Sequence, residues 1–70
     1  MKLKINGEVK VINNSNKDFP LEGLIEHLGY NPQLVVVELN GVIINSKHWL
    51  NTKIKNGDCL EIVTIVGGGS

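Results

Sequence analysis

The sequence predicts an α+β fold in which a mixed, four- to five-stranded sheet wraps one α-helix. Three observations predict it. Short runs with the two-residue period of half-buried strands, or rich in β-branched residues, are separated by Asn-Gly dipeptides. Only one stretch carries the helical period, and the chain ends on a strand-like run that passes directly into glycines. Seventy residues make one small domain, with no second lobe in which to enclose a cleft.

The first element is Lys2-Leu3-Lys4-Ile5, alternating polar and apolar. Asn6-Gly7 follows, then Val9-Lys10-Val11-Ile12. Asn-Gly between two such runs is a hairpin signal, because both central residues of a type I′ turn need positive φ. Leu3 and Ile5 are expected to face inward with Val9 and Val11. A polar loop, Asn13 to Lys17, leads to Asp18, a candidate cap for a helix beginning near Pro20. Leu21, Leu24, Ile25 and Leu28 recur at i, i+3, i+4 and i+7, giving about ten residues of amphipathic helix. Gly29 and Asn31-Pro32 stop it.

Leu34 to Leu39 is nearly all apolar, as a central strand covered on much of both faces would be. Asn40-Gly41 turns into a short strand, Val42-Ile43-Ile44, and Ser46 to Leu50 reads as one helical turn placing Trp49 and Leu50 against the core. Asn56-Gly57-Asp58 then turns into Cys59 to Val66. This order allows the first and last strands to pair in parallel in the middle of the sheet through a right-handed connection. That is the β-grasp, or ubiquitin-like, architecture.

Seven basic residues balance seven acidic ones with no basic cluster among aromatics, which argues against a nucleic-acid surface. A single cysteine excludes an internal disulfide framework and fits a reducing compartment. No long apolar run follows Met1-Lys2-Leu3-Lys4, so neither a secretory signal nor a spanning helix is expected, and the expected location is the cytoplasm. Side chains capable of chemistry are sparse. Cys59, opening a strand, reads as an ordinary buried thiol more readily than as a nucleophile or persulfide carrier. His27 and His48 lack any metal-ligand spacing, so no metal site is expected. Glu22 and Glu26 read as a solvated helix face, and Trp49 as core.

The unusual feature is the end, Gly67-Gly68-Gly69-Ser70, read as a tail on a domain spanning residues 1–66. Glycines have no side chains to pack and lose the most entropy on ordering, so they make no core element. One reading is a frayed terminus or linker. The other is a thread for a passage too narrow for side chains, carrying the terminal carboxyl about 13 Å past the last paired residue. On the preceding strand, with Glu61 outward, alternation sends Leu60, Ile62 and Thr64 inward and Val63 and Ile65 to the open face. Val63, Ile65 and Val66 would then form an apolar patch beside the tail, unless the register is shifted or a loop covers that end.

Taken together, Ile5-Asn6-Gly7-Glu8, the helix around Leu24-Ile25-Leu28-Gly29, Val35 to Gly41, the Trp49 segment, Asn56-Gly57-Asp58 and Ile62 to Gly69 resemble the ThiS family, the small sulfur carriers of bacterial thiazole (thiamin) biosynthesis. The resemblance covers essentially the full length. It departs at Asn45-Ser46, where the family commonly has Pro-Arg, and at Ser70, which follows the glycines that end working members. It implies a carrier that is not itself an enzyme and binds no cofactor. An E1-like, ThiF-like adenylyltransferase would use ATP to activate the terminal glycine carboxyl, here Gly69 after loss of Ser70. A desulfurase system would supply sulfur to make a thiocarboxylate, and a ThiG-like thiazole synthase would take it, with Gly67, Gly68 and Gly69 threaded into each active site. Two alternatives share the fold: the sulfur-carrying small subunit of molybdopterin synthase, and a β-grasp binding module with an inert tail.

Overall fold

A computed structural model describes residues 1–13 and 19–65 of the chain. Its elements in chain order are strands β1 (Lys2–Ile5), β2 (Glu8–Val11) and β3 (Phe19–Pro20), helix α1 (Leu21–His27), a 3-10 turn (Pro32–Leu34), strands β4 (Val35–Leu39) and β5 (Val42–Ile44), a 3-10 helix (Ser46–Asn51), and strands β6 (Lys53–Ile54) and β7 (Cys59–Thr64). Five strands form one sheet in the order β2-β1-β7-β4-β5. β1 and β7 pair in parallel, and every other neighbouring pair in the sheet is antiparallel. The mixed sheet on one main helix is the β-grasp arrangement.

The three Asn-Gly dipeptides make two kinds of turn. Asn6 and Gly7 have φ of 52° and 83°, and Asn40 and Gly41 have 52° and 87°, the doubly positive pattern of a type I′ hairpin. At the third, only Gly57 is positive, at 90°, and the Asp58 N–H donates to the Lys55 carbonyl across 3.1 Å, as in a type II turn. That geometry redirects the chain into β7 without closing a hairpin.

One side of the sheet is covered. Leu3, Ile5, Leu60, Ile62, Val35 and Val37 meet Leu21, Leu24 and Ile25 of α1, with Ile12, Trp49 and Ile54 closing the cluster, all buried. Trp49 also donates its indole N–H to the Ile44 carbonyl at 2.9 Å, so the one polar atom of this large side chain is satisfied. Among the described residues no helix is long and apolar enough to cross a membrane.

Several expectations from the sequence are corrected. Val9 and Val11 are exposed, because the two-residue turn sets Ile5 opposite Glu8 and Leu3 opposite Lys10, leaving the valines beside Lys4 and Lys2 on the uncovered face. Their neighbour Ile12 is buried instead. α1 has seven residues rather than ten, and Pro20 is its N-cap in extended conformation, with no side-chain capping bond. The expected cap, Asp18, lies outside the described residues. Pro20 is held instead as half of a two-residue strand, β3, which pairs with β6 in a second small sheet. Leu50 is exposed although Trp49 is buried, because a 3-10 helix turns by about 120° per residue and points neighbours in different directions.

Candidate functional site

The candidate site is the end of β7 where it approaches the glycines. β7 is the hub of the sheet, between β1 and β4. Its pairing with β4 runs from Leu39↔Leu60 to Val35↔Thr64, and a further bond, Ile65 N–H to the Leu34 carbonyl at 2.6 Å, extends it by one residue. The β4 side therefore supports β7 along its whole length and one residue beyond, to Ile65.

On the other side the support is shorter and of a different kind. β1 meets β7 only at Lys4↔Cys59 and Ile5↔Leu60, with the Asn6 N–H donating to the Leu60 carbonyl at 2.9 Å. The backbone then turns away at Asn6. Its side chain continues the ladder in place of a strand: Oδ1 accepts from the Ile62 N–H at 2.7 Å, and Nδ2 donates to the Ile62 carbonyl at 3.2 Å. A side-chain amide carries a donor and an acceptor spaced like those of a peptide group, so it substitutes for one residue of strand. The sequence marked Asn6 as a turn residue, and gave no sign of this second task.

Asn40 does similar work at the start of β7. It accepts from the Cys59 N–H at 3.0 Å and donates to Asp58 Oδ1 at 3.1 Å, while Asp58 Oδ2 accepts from the Lys55 N–H at 2.8 Å. Both type I′ turns therefore clasp the hub strand through their asparagines, Asn40 at its first residue and Asn6 at Ile62.

Strand alternation then decides what each face of β7 offers. Leu60 and Ile62 are buried, and Glu61, Val63 and Ile65 are exposed, so the predicted register holds for these residues. Thr64 departs from it. Although in phase with Leu60 and Ile62 and opposite the buried Val35, it is exposed at the last position of β7. Cys59 is also exposed, correcting the expectation of a buried thiol. Placing Leu60 inward already sends Cys59 outward with Glu61.

On the uncovered face, the rows nearest the end of β7 are apolar. Val63 stands opposite Val36, which is half-buried, and Ile65 lies beside Leu34. Val63 is 60% and Ile65 51% exposed. The remaining residues predicted for the site, Val66, Gly67, Gly68, Gly69 and Ser70, lie outside the described residues. Among the described residues no group of three or more His, Cys, Asp or Glu side chains is placed to hold a metal ion. What the described site offers is an ordered strand end flanked by an apolar surface.

The ThiS family model matches residues 3–69 of this chain. A protein of Trieres chinensis named ycf40 and described as uncharacterized is 42% identical over 65 residues, spanning 93% of this chain and 85% of its own. A thiazole synthase of Paramagnetospirillum magneticum is 39% identical over 70 residues, all of this chain but only 21% of the synthase. The crystal structure of the thiamine biosynthesis protein ThiS from Geobacter metallireducens superposes with a TM-score of 0.83 at 28% identity, covering 99% of this chain and 100% of that one. With a family match over residues 3–69 and a matching fold at nearly complete coverage, the chain belongs to the ThiS family.

Proposed function

We propose that this protein is a sulfur carrier of thiamin biosynthesis whose C-terminal glycine carboxyl, that of Gly69 once Ser70 is removed, is the working group. The observation that carries the reading is the contrast along β7. The strand is clasped through Ile62 and bonded to β4 through Ile65, carries the exposed Val63 and Ile65 at its end, and is followed in sequence by three glycines. Binding surface and chemically plain backbone thus follow one another closely in the sequence.

The chemistry follows from the carboxyl itself. Ionised at neutral pH, it is a poor electrophile. An E1-like adenylyltransferase would join it to the AMP portion of ATP, releasing pyrophosphate and making the acyl carbon open to attack. The terminal sulfur of a desulfurase persulfide would attack that carbon and expel AMP. A thiol would then attack the desulfurase sulfur of the resulting acyl disulfide, forming a disulfide with it and leaving the thiocarboxylate on glycine. Glycine leaves the carbonyl unhindered, and side-chain-free neighbours let the tail enter successive active sites. Thiazole synthase would take the sulfur and release the carrier with its carboxylate restored. The carrier is a cosubstrate in this scheme, ATP is used by the activating partner, and Val63, Ile65 and Val66 provide a small, transient docking contact.

The test is to incubate chains ending at Gly69 and at Ser70 with an E1-like enzyme, ATP, a persulfide donor and a reducing thiol, and to measure intact mass. The Gly69 chain should gain the mass of one oxygen replaced by sulfur, and the Ser70 chain should not. No exchange in either chain would overturn the proposal.

A further inference from the structure

The uncovered face of the sheet carries an arrangement that costs the isolated chain stability. Glu38 and Glu61 are direct cross-strand partners of β4 and β7, on the face away from α1. Like charges placed opposite one another destabilise a sheet, and here they occupy its central pair of strands. Among the described residues neither carboxylate has a hydrogen bond or an ion pair. Their row on this face continues to Ile43, the partner of Glu38 on β5, which is 66% exposed. The next row toward the end of β7 is Val36 and Val63, followed by Leu34 and Ile65. An uncompensated negative pair thus borders an apolar surface that leads to the tail. Lys4 lies one row further back, level with Cys59.

We propose that this face is the docking surface for a thiazole synthase, and that a Lys or Arg side chain of the synthase fits against Glu38 and Glu61 while apolar groups cover Val63, Ile65, Val36 and Ile43. The proposal rests on the sulfur-carrier reading and adds the chemistry of the partner. Two observations select this occupant. A bound cation removes the repulsion between the two carboxylates, so the charge pattern calls for a basic counterpart. Thiazole synthases of Paramagnetospirillum magneticum and Magnetococcus marinus, at 39% and 33% identity, contain a stretch similar to this whole domain within a chain about five times as long. In those proteins a carrier-like segment and the remainder of a synthase share one polypeptide. Val63, Ile65, Val36 and Ile43 are far fewer than the roughly 20–30 residues a side of a standard interface, so charge and the threaded tail must supply much of the specificity.

Binding of the full chain to purified thiazole synthase from the same genome tests this, measured by calorimetric titration at low and moderate salt, with a thermal melt of every variant. Glu38→Gln and Glu61→Gln should melt at or above the wild-type temperature, yet each should bind about tenfold more weakly. The double Gln variant should lose most of the salt dependence of binding, and Glu38→Lys with Glu61→Lys should bind far more weakly still. Equal affinity and equal salt dependence for wild type and the double Gln variant would overturn the proposal while leaving the carrier reading intact. A clear drop in melting temperature for the Gln variants would overturn it too, since the pair would then be stabilising. Failure of the wild-type chain to bind the synthase at all would remove the carrier reading and this occupant together.

Discussion

The two faces of β7 are built from one continuous stretch of chain and do opposite things. Leu60 and Ile62 point into the cluster beneath α1 and are almost completely buried, while Glu61, Val63 and Ile65 point away from it and are exposed. The inner face holds the domain together. The outer face adds little to folding, and its Glu38–Glu61 pair works against it. Because a strand alternates at every residue, neighbouring positions give an internal control in which the backbone environment is nearly constant and only the direction of the side chain changes.

The largest effects are expected on the inner side. A domain of this length has a total stability of roughly 4–10 kcal/mol, from a typical 0.05–0.15 kcal/mol per residue. Trp49→Ala removes a buried ring that packs in the cluster and bonds to the Ile44 carbonyl, which should cost about 3–5 kcal/mol. Ile62→Ala should cost about 2–5 kcal/mol. Chemical denaturation would show a sharply lowered midpoint in both variants, lowest in the first. If either variant retained wild-type stability, the inner face would not be the one that holds the fold.

An intermediate effect is expected at the join between the two regions. Asn6→Gly keeps a residue tolerant of φ near 52° but removes both side-chain bonds to Ile62. At about 1 kcal/mol per bond, the loss should be about 2 kcal/mol. Asn6→Ala should lose roughly 1–2 kcal/mol more, because a Cβ at positive φ is strained. Amide hydrogen exchange supplies the decisive measurement. In both variants the Ile62 N–H should exchange faster, whereas the Val37 N–H on the neighbouring strand should change little beyond the global loss of stability. Uniform acceleration over the whole sheet would mean that Asn6 is only a turn residue.

Much of this division was legible in the sequence, and the exceptions share a physical origin. The stripe Leu21, Leu24, Ile25 was readable because a helix against a sheet repeats one requirement every three to four residues. The partition of Leu60, Ile62, Val63 and Ile65 was readable because the strand is long enough to show a period of two. β3 and β6 were not, since two-residue strands have no period, and their pairing brings together Phe19 and Ile54, thirty-five positions apart. Val9 and Val11 misled because an apolar alternation on an edge strand gives spacing but not phase, and phase was set by the turn that puts Glu8 opposite Ile5. Asn6 and Asn40 were recognisable as turn formers from the glycine that follows each. Their bonds to β7 link residues distant in sequence, and no local pattern encodes them. The family resemblance added what spacing could not, by pointing to the glycine end as the part proposed to react.

The smallest stability effect is expected where the proposed functional effect is large. Val63→Ser replaces a side chain that is 60% exposed and covers no part of the buried cluster. Exposed substitutions of this kind usually change stability by no more than about 0.5 kcal/mol, and the lower strand propensity of serine sets the sign as a small loss. The melting temperature should therefore fall by no more than about 4 °C, from the usual 4–8 °C per kcal/mol for domains of this size. Removing the branched apolar group leaves a gap in any surface packed against Val63 and Val36, so sulfur transfer to a thiazole synthase should slow at subsaturating carrier and recover as carrier concentration is raised. Recovery at high concentration distinguishes weakened docking from a damaged tail, which would lower the maximal rate instead. If Val63→Ser supported transfer at the wild-type rate at every concentration while Ile62→Ala lost it only in proportion to unfolding, the outer face of β7 would be mere surface, and docking would have to be sought on another part of the sheet.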